Sequence, residues 1–280
     1  MAGRRAALAR ATVSQEQRVD RPQVAGRPAR SPALVLIGYG VDDTLQITVE
    51  SQRVLTRHGR AYTISPPPTL SRYLRSLRVA CVDLAPRLST PRPFADAYLD
   101  VADAILQQMH DDPPVVLLTP GNPLLSNALN RFLVLRAREN KLRVQILPAV
   151  SPIDSLICLT ALDVGTFGLQ VFDARRVVQK AQRVDPGVPL LLLELGGIAA
   201  PEEAGRPLSR DPIAYFPLIQ HLAQFYPATH PVLHLPAGTD TGSAAPAPVP
   251  LARLGELASQ VGARSTLFID RVRRQAPRSQ

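Results

Sequence analysis

Two short stretches hold the residue types that let a protein backbone come close to a small molecule. Gly38-Tyr39-Gly40-Val41 follows the apolar run Ala33–Ile37, and Pro120-Gly121-Asn122-Pro123 follows Val115–Leu118. Glycine lacks a Cβ, so other atoms can approach its main chain, and flanking prolines hold a bend rigid so that its amides and carbonyls point in fixed directions. Each stretch has a plainer reading too. Gly38–Gly40 is equally an ordinary turn, because Asp43 stands where a full G-x-G-x-x-G run needs its third glycine. Asn122 and Pro123 suit the cap and first position of a helix that starts there. A third stretch, Pro148-Ala149-Val150-Ser151-Pro152, offers Ser151 as a helix cap with Asp154 at the capping-box position, its polar group still turned toward the same strand ends.

Other chemistries find little support. The histidines stand at 58, 110, 221, 230 and 234, and only His230 and His234 are four apart, in a segment that Pro231 and its apolar neighbours mark as a strand. No metal site is expected from that spacing. No G-x-S-x-G or phosphate-loop motif occurs, and the second apolar run, Ala61–Ile64, ends in Ser65 and prolines instead of the acid that holds a ribose in nicotinamide sites. Cys81 and Cys158 lack C-x-x-C spacing, and the expectation is two buried thiols in a reducing compartment.

The elements that must position these residues alternate. The first half reads as strand 33–37, helix 48–57 closed by Gly59, strand 61–64, helix 70–77, strand 80–84, a proline-rich loop over 86–93, helix 94–109 and strand 115–118. A helix from the Pro120–Pro123 bend to about Arg138, strand 143–147 and a helix from Ser151 complete it. Alternation of this kind implies a mainly parallel sheet covered on both faces, with ligands at the carboxyl ends of its strands. The candidate loops there are 38–43, 119–126 and 148–154. The second half predicts strands 169–172, 190–193, 232–235 and 266–269, a helix 212–224 kinked at Pro217, a small-residue loop 238–248 and a helix 251–261. The fold class is therefore α/β. The domains expected are a disordered basic arm over 1–30, an N-terminal α/β domain over 31–150, a C-terminal α/β domain over 151–270 and a basic tail over 271–280.

Composition agrees with a globular centre and charged ends. The 280 residues are 45% hydrophobic, and 32 basic against 23 acidic residues give a net charge of +9. Much of the excess lies in the tails: seven arginines in residues 1–30 face only Glu16 and Asp20. A basic tail can touch nucleic acid or an anionic surface, but these tails lack interleaved aromatics, so nucleic acid is disfavoured as a partner. No apolar run reaches ~18 residues, so no membrane partner is expected. The N-terminus lacks the apolar core of a secretory signal. The location expected is cytoplasmic.

The segment Val35-Leu36-Ile37-Gly38-Tyr39-Gly40-Val41-Asp42-Asp43-Thr44-Leu45-Gln46-Ile47-Thr48 resembles the opening of the tetrapyrrole (corrin/porphyrin) methylase superfamily: a strand, G-x-G-x-x-D, then a Thr that starts a helix. Gly121-Asn122-Pro123 resembles the family's second motif, G-D-P, and Pro148-Ala149-Val150-Ser151 its P-G-[IV]-[ST] turn. Gly168 through Ala174 looks like the strand that opens the family's second domain. The resemblance covers roughly residues 33–270. It implies two α/β domains with S-adenosylmethionine in a cleft between them, a homodimer, and a methyltransferase activity. By matched position the cofactor would be held by Gly38, Tyr39, Gly40, Val41, Pro120, Gly121, Asn122, Leu125, Ser151, Pro152 and Leu195. Asn122 replaces the usual Asp and so loses a charge that favours a sulfonium, and Ala149 replaces the usual Gly.

Within the superfamily, Gln46–Glu50, Tyr98 and Leu147–Leu156 are similar to the borosin branch, which methylates peptide backbone nitrogens, so the implied acceptor is a peptide amide in natural-product maturation. That branch carries Y-G-H-P where this chain has Thr119-Pro120-Gly121-Asn122-Pro123. The same bend and Gly168–Ala174 equally resemble the methylase-like domain fused to MazG-type pyrophosphohydrolases. On the methyltransferase reading Tyr98 is the candidate to help an amide nitrogen lose its proton, alone or through a water, with Arg72 and Tyr73 polarising or orienting the acceptor. Tyr98 on an apolar helical face also fits a plain core residue. The alternatives are a non-catalytic methylase-like binding or regulatory protein, and a methylase acting on a small molecule or RNA. Residues 236–248, with Gly238, Asp240 and Gly242, are either a lid or a linker.

Overall fold

The computed structural model describes residues 31–41, 46–89, 93–200, 208–236 and 246–272. The basic arm, the acidic end of the first motif (Asp42, Asp43), the centre of the 236–248 segment and most of the C-terminal tail lie outside the described residues. The chain divides into two compact units, with the division between Ala149 and Val150.

The first unit is built on five parallel strands: β1 (Leu34–Gly38), β2 (Arg60–Thr63), β3 (Ala80–Asp83), β4 (Val115–Thr119) and β5 (Val144–Leu147), in the order β3-β2-β4-β1-β5. Strands β1 and β4 are buried throughout, as expected for strands covered on both faces. Their alternate side chains enter two separate cores. Val35, Ile37, Val116 and Leu118 pack with Val54 and Leu55 of α1 (Val49–His58) and with Leu70 and Leu74 of α2 (Pro68–Ser76). Leu34, Leu36, Val115 and Leu117 pack against α3 (Phe94–Asp111) and α4 (Ala128–Glu139) on the other face. This division follows from handedness. The steps β1 to β2 and β2 to β3 move one way along the sheet and those from β3 to β4 and β4 to β5 move back, so right-handed crossovers put the two helix pairs on opposite faces.

Local signals set most boundaries. Thr48 caps α1 through the Ser51 amide at 3.1 Å, and Gly59 ends it in the left-handed conformation at φ 67°. The helix expected from the Pro120–Pro123 bend starts later, at Ala128. Asn122 spends its side-chain oxygen on the Leu124 amide at 3.0 Å, Ser126 adopts a left-handed φ of 51°, and Asn127 is the cap, accepting from the Asn130 amide at 2.9 Å. The 86–93 loop also holds a correction, because Ala85–Leu88 forms a 3-10 turn started by Asp83, whose carboxylate takes the Ala85 amide at 2.9 Å.

The second unit carries β6 (Gln170–Asp173), β7 (Leu190–Leu193), β8 (Pro231–Leu235), β9 (Val249–Pro250) and β10 (Thr266–Ile269) in the order β6-β7-β10-β8-β9. Only β6 and β7 run parallel. Its core joins Leu190, Leu192, Val232, Leu267 and Ile269 to Tyr215, Leu218, Leu222, Leu251 and Leu254. The unit also holds α5 (Pro152–Thr160), α6 (Val164–Phe167), α7 (Ala174–Gln179) and α8 (Phe216–Leu222). The single kinked helix expected over 212–224 is instead a 3-10 turn, Pro212–Tyr215, followed by α8. Pro217 has no N–H to continue a helix and so occupies the first turn of a new one. The helix expected over 251–261 is a 3-10 helix over Leu251–Leu257, in keeping with leucines spaced by three at 251, 254 and 257.

The expected burial of both thiols does not hold. Cys81 and Cys158 are free and exposed. Cys81 sits on the edge strand β3, all four of whose residues are exposed, and Cys158 lies on an outward position of α5.

Candidate functional site

In the first unit, β1 and β4 are neighbours, but the connection leaving β1 passes over one face and that leaving β4 over the other. Such a switch point opens a crevice at the carboxyl ends of the two strands. Both glycine-bearing stretches end there. The Tyr39 amide donates to the Thr119 carbonyl at 3.0 Å and the Gly121 amide to the Gly40 carbonyl at 2.9 Å, so the two loops are joined by their own backbones.

The glycines are required by that join. A Cβ on Gly38 would lie 2.2 Å from the Gly121 carbonyl oxygen and 2.6 Å from the Ala149 methyl. One on Gly40, at φ 89°, would meet Gln46 at 2.5 Å. The close approach that these glycines permit is therefore loop against loop. Gln46 holds the first loop from outside, since its side-chain oxygen accepts from the Val41 amide at 3.0 Å and its own amide donates to the Tyr39 carbonyl at 3.1 Å. Tyr39 itself is buried in the α1–α2 core.

In the second loop Gly121 is left-handed at φ 63°, and the Leu125 amide donates to the Asn122 carbonyl at 3.1 Å. Asn122 makes its turn with a neutral amide where the family motif has a carboxylate. Behind the loop, Asn130 donates its side-chain amide to the Pro123 carbonyl at 2.8 Å and lies 3.4 Å from the Thr119 hydroxyl. Sequence reasoning gave no role to Asn130, which sits in no motif, or to Gln46, which lies within the opening motif, because only the folded loops show what each side chain holds.

Past β5, Asp154 accepts both the amide and the hydroxyl of Ser151, at 2.7 and 2.6 Å, and closes the capping box at the start of α5 with Pro152 in its first turn. Ser151 is buried and its polar atoms are engaged in this cap. Leu195, fully buried, opens a 3-10 turn after β7, its amide donating to the Ser265 carbonyl at 2.8 Å. The residue before it is another that the sequence did not reveal. Glu194 is left-handed at φ 55°, and its carboxyl is pushed up to about 7 by desolvation first and by the Asp173 charge second, against the opposing pull of Arg264. Strained, half-buried carboxyls at strand ends are frequent at functional sites.

The three residues expected to act on an acceptor are not brought together. Tyr98 is half-buried on α3 against one core of the first unit. Arg72 is exposed and Tyr73 half-buried on α2, across the sheet, where burial holds the Tyr73 phenol above its ordinary value. Among the described residues no group of three or more His, Cys, Asp or Glu could hold a metal ion.

Comparisons with known proteins agree with this architecture. A family model for Tetrapyrrole (Corrin/Porphyrin) Methylases matches residues 33–194. The chain is 24% identical over 217 residues to the methyltransferase/ribosomally synthesized type III borosin cyclic peptide precursor of Anomoporia bombycina, which covers 76% of this chain and 25% of that protein. It is 24% identical over 248 residues to the methyltransferase/ribosomally synthesized cyclic peptide dendrothelin A precursor of Dendrothele bispora, with 85% and 57% covered. The chain thus spans a quarter to just over half the length of these relatives. Among solved structures, uroporphyrin-III C-methyl transferase from Thermus thermophilus complexed with S-adenyl homocysteine superposes with a TM-score of 0.56 at 16% identity, covering 85% of this chain and 96% of that one. The family match takes in both joined loops, the β5 turn and β7 up to Glu194, and the chain belongs to the Tetrapyrrole (Corrin/Porphyrin) Methylases.

Proposed function

We propose that the chain is an S-adenosylmethionine-dependent methyltransferase whose acceptor is a backbone amide of a peptide, as in borosin-type natural-product maturation. The observation that carries the reading is the β1–β4 switch point, where two glycine loops in the family's order are joined through their backbones. The residues proposed to hold the cofactor are Gly38, Tyr39, Gly40, Val41, Pro120, Gly121, Asn122, Leu125, Ser151, Pro152 and Leu195. None of these side chains is a cation. No like charge among these residues would therefore repel a sulfonium. The peptide acceptor is supported by the borosin precursors among the relatives.

When bound, the cofactor supplies an electrophilic methyl on sulfur. The protein's part is to align that methyl with the acceptor nitrogen and to take up the amide proton as the N–C bond would form and the methyl's bond to sulfur would break, the electron pair staying on sulfur. We assign help with proton removal to Tyr98, directly or through a water. We further propose that the active form is a homodimer and that it works in the cytoplasm. Two unpaired cysteines suit a reducing compartment, and among the described residues no helix is long and apolar enough to cross a membrane.

Calorimetric titration with S-adenosylmethionine and with S-adenosylhomocysteine tests the reading. Micromolar binding of either supports it, and no binding at millimolar ligand refutes it.

A further inference from the structure

Asn130 is fully buried, yet only half of its amide is used. Its nitrogen donates to the Pro123 carbonyl at 2.8 Å and lies 3.4 Å from the Thr119 hydroxyl, while its side-chain oxygen has no partner. Thr119 is the last residue of β4 and Pro123 is the far end of the bend, so one amide group spans both ends of Pro120-Gly121-Asn122.

We propose that Asn130 is a positioning residue that sets the shape of the 120–125 loop for the methyl donor. This inference rests on the methyltransferase reading for the role of that loop. The mechanical path runs through contacts already described. α4 is anchored by Leu129, Phe132 and Leu133 in the core, and Asn130 is further fixed in its first turn by the Asn127 cap. From there the side chain pins the Pro123 carbonyl, and the bend so held sets Gly121 in its left-handed conformation. Gly121 in turn donates to Gly40 and places its carbonyl against Gly38. Both loops of the crevice therefore take their positions, in part, from one amide on a rigid helix. The unpaired oxygen argues for a geometric role over a stabilising one. A buried acceptor without a partner is costly, and an apolar side chain of similar size removes that acceptor while leaving the Pro123 carbonyl without its donor, so the two costs offset and the staple is lost.

The experiment compares the full chain with Asn130→Leu and Asn130→Ser. Melting temperature, S-adenosylhomocysteine affinity by calorimetry, and the KM for donor against kcat are measured for each. Asn130→Leu is expected to melt close to the parent and to bind S-adenosylhomocysteine roughly tenfold or more weakly, as displaced binding groups do. The KM for S-adenosylmethionine rises in step, and kcat at saturating donor changes little. Asn130→Ser, too short to reach Pro123, gives the same loss should the leucine variant fold poorly. A purely structural asparagine gives the opposite pattern: a lowered melting temperature with affinity unchanged in the folded protein. Affinity within about twofold of the parent in either folded variant overturns the proposal. A parent protein that binds neither S-adenosylmethionine nor S-adenosylhomocysteine overturns the methyltransferase reading, and this inference with it.

Discussion

Replacing Glu194 by Gln is expected to stabilise the protein in mild alkali and to do little in acid. The carboxyl stands at the end of β7, and burial, then Asp173, lift its pKa from 4.5 to about 7 despite Arg264. A carboxyl that holds its proton more tightly when folded favours the folded state while protonated. That advantage is complete below the unfolded pKa and is lost as pH rises through the folded one, so wild-type stability falls between pH 4.5 and about 7. A tenfold change in proton affinity corresponds to ~1.4 kcal/mol, and the ionised form therefore costs about 3 kcal/mol above the window. Glu194→Gln keeps the shape and removes the charge. Its melting temperature should exceed the parent's by roughly 6–12 °C at alkaline pH, at ~2–4 °C per kcal/mol for a chain of this size, and should nearly match it at acid pH. Thermal melts of both proteins across pH 4–9 make the comparison. An equal difference between the two proteins at both ends of the range would falsify the argument.

Three further outcomes follow from the geometry. Gly38→Ala puts a methyl against the Gly121 carbonyl and should cost ~3 kcal/mol or more in urea melts; at Gly59, with no atom within 4 Å of a new Cβ, the same change should cost only its left-handed backbone penalty, ~1–2 kcal/mol. Equal losses at the two glycines contradict the packing account. Asp154→Ala removes the carboxylate that holds the Ser151 amide and hydroxyl and should lower stability by about 1 kcal/mol, so an unchanged denaturation midpoint means that the capping box is energetically idle. Tyr98→Phe should fold normally and lose roughly 10²-fold or more in methyl transfer, read by mass of the methylated peptide; undiminished turnover removes Tyr98 from the chemistry.

Sequence alone determined the elements whose signals are local. Thr48 and Gly59 bracket α1 because a cap oxygen and a left-handed glycine act within one turn of chain. The runs at 34–38, 115–119, 190–193 and 266–269 are strands because a short apolar block between turn residues has few other folded forms. The two glycine stretches were legible for the same reason, and their order along the chain pointed to the family. Where the local signal was read wrongly, the fold corrected it. The helix expected to start at Asn122 and Pro123 is capped by Asn127 instead, beyond the left-handed Ser126.

Strand order was decided by tertiary structure alone. Period and composition say that a strand is buried, but not which strand lies beside it. The order β3-β2-β4-β1-β5 is what makes β1 and β4 neighbours with connections on opposite faces, and so brings both glycine loops to one switch point. The same order sends α2 and α3 to opposite faces and separates Tyr98 from Arg72 and Tyr73. Glu194 and Asn130 escaped notice because their character comes from surroundings that only the folded chain assembles. For Glu194 these are Asp173 and Arg264, 21 and 70 positions away. For Asn130 they are the two ends of a bend that closes only when the chain folds back on its own helix.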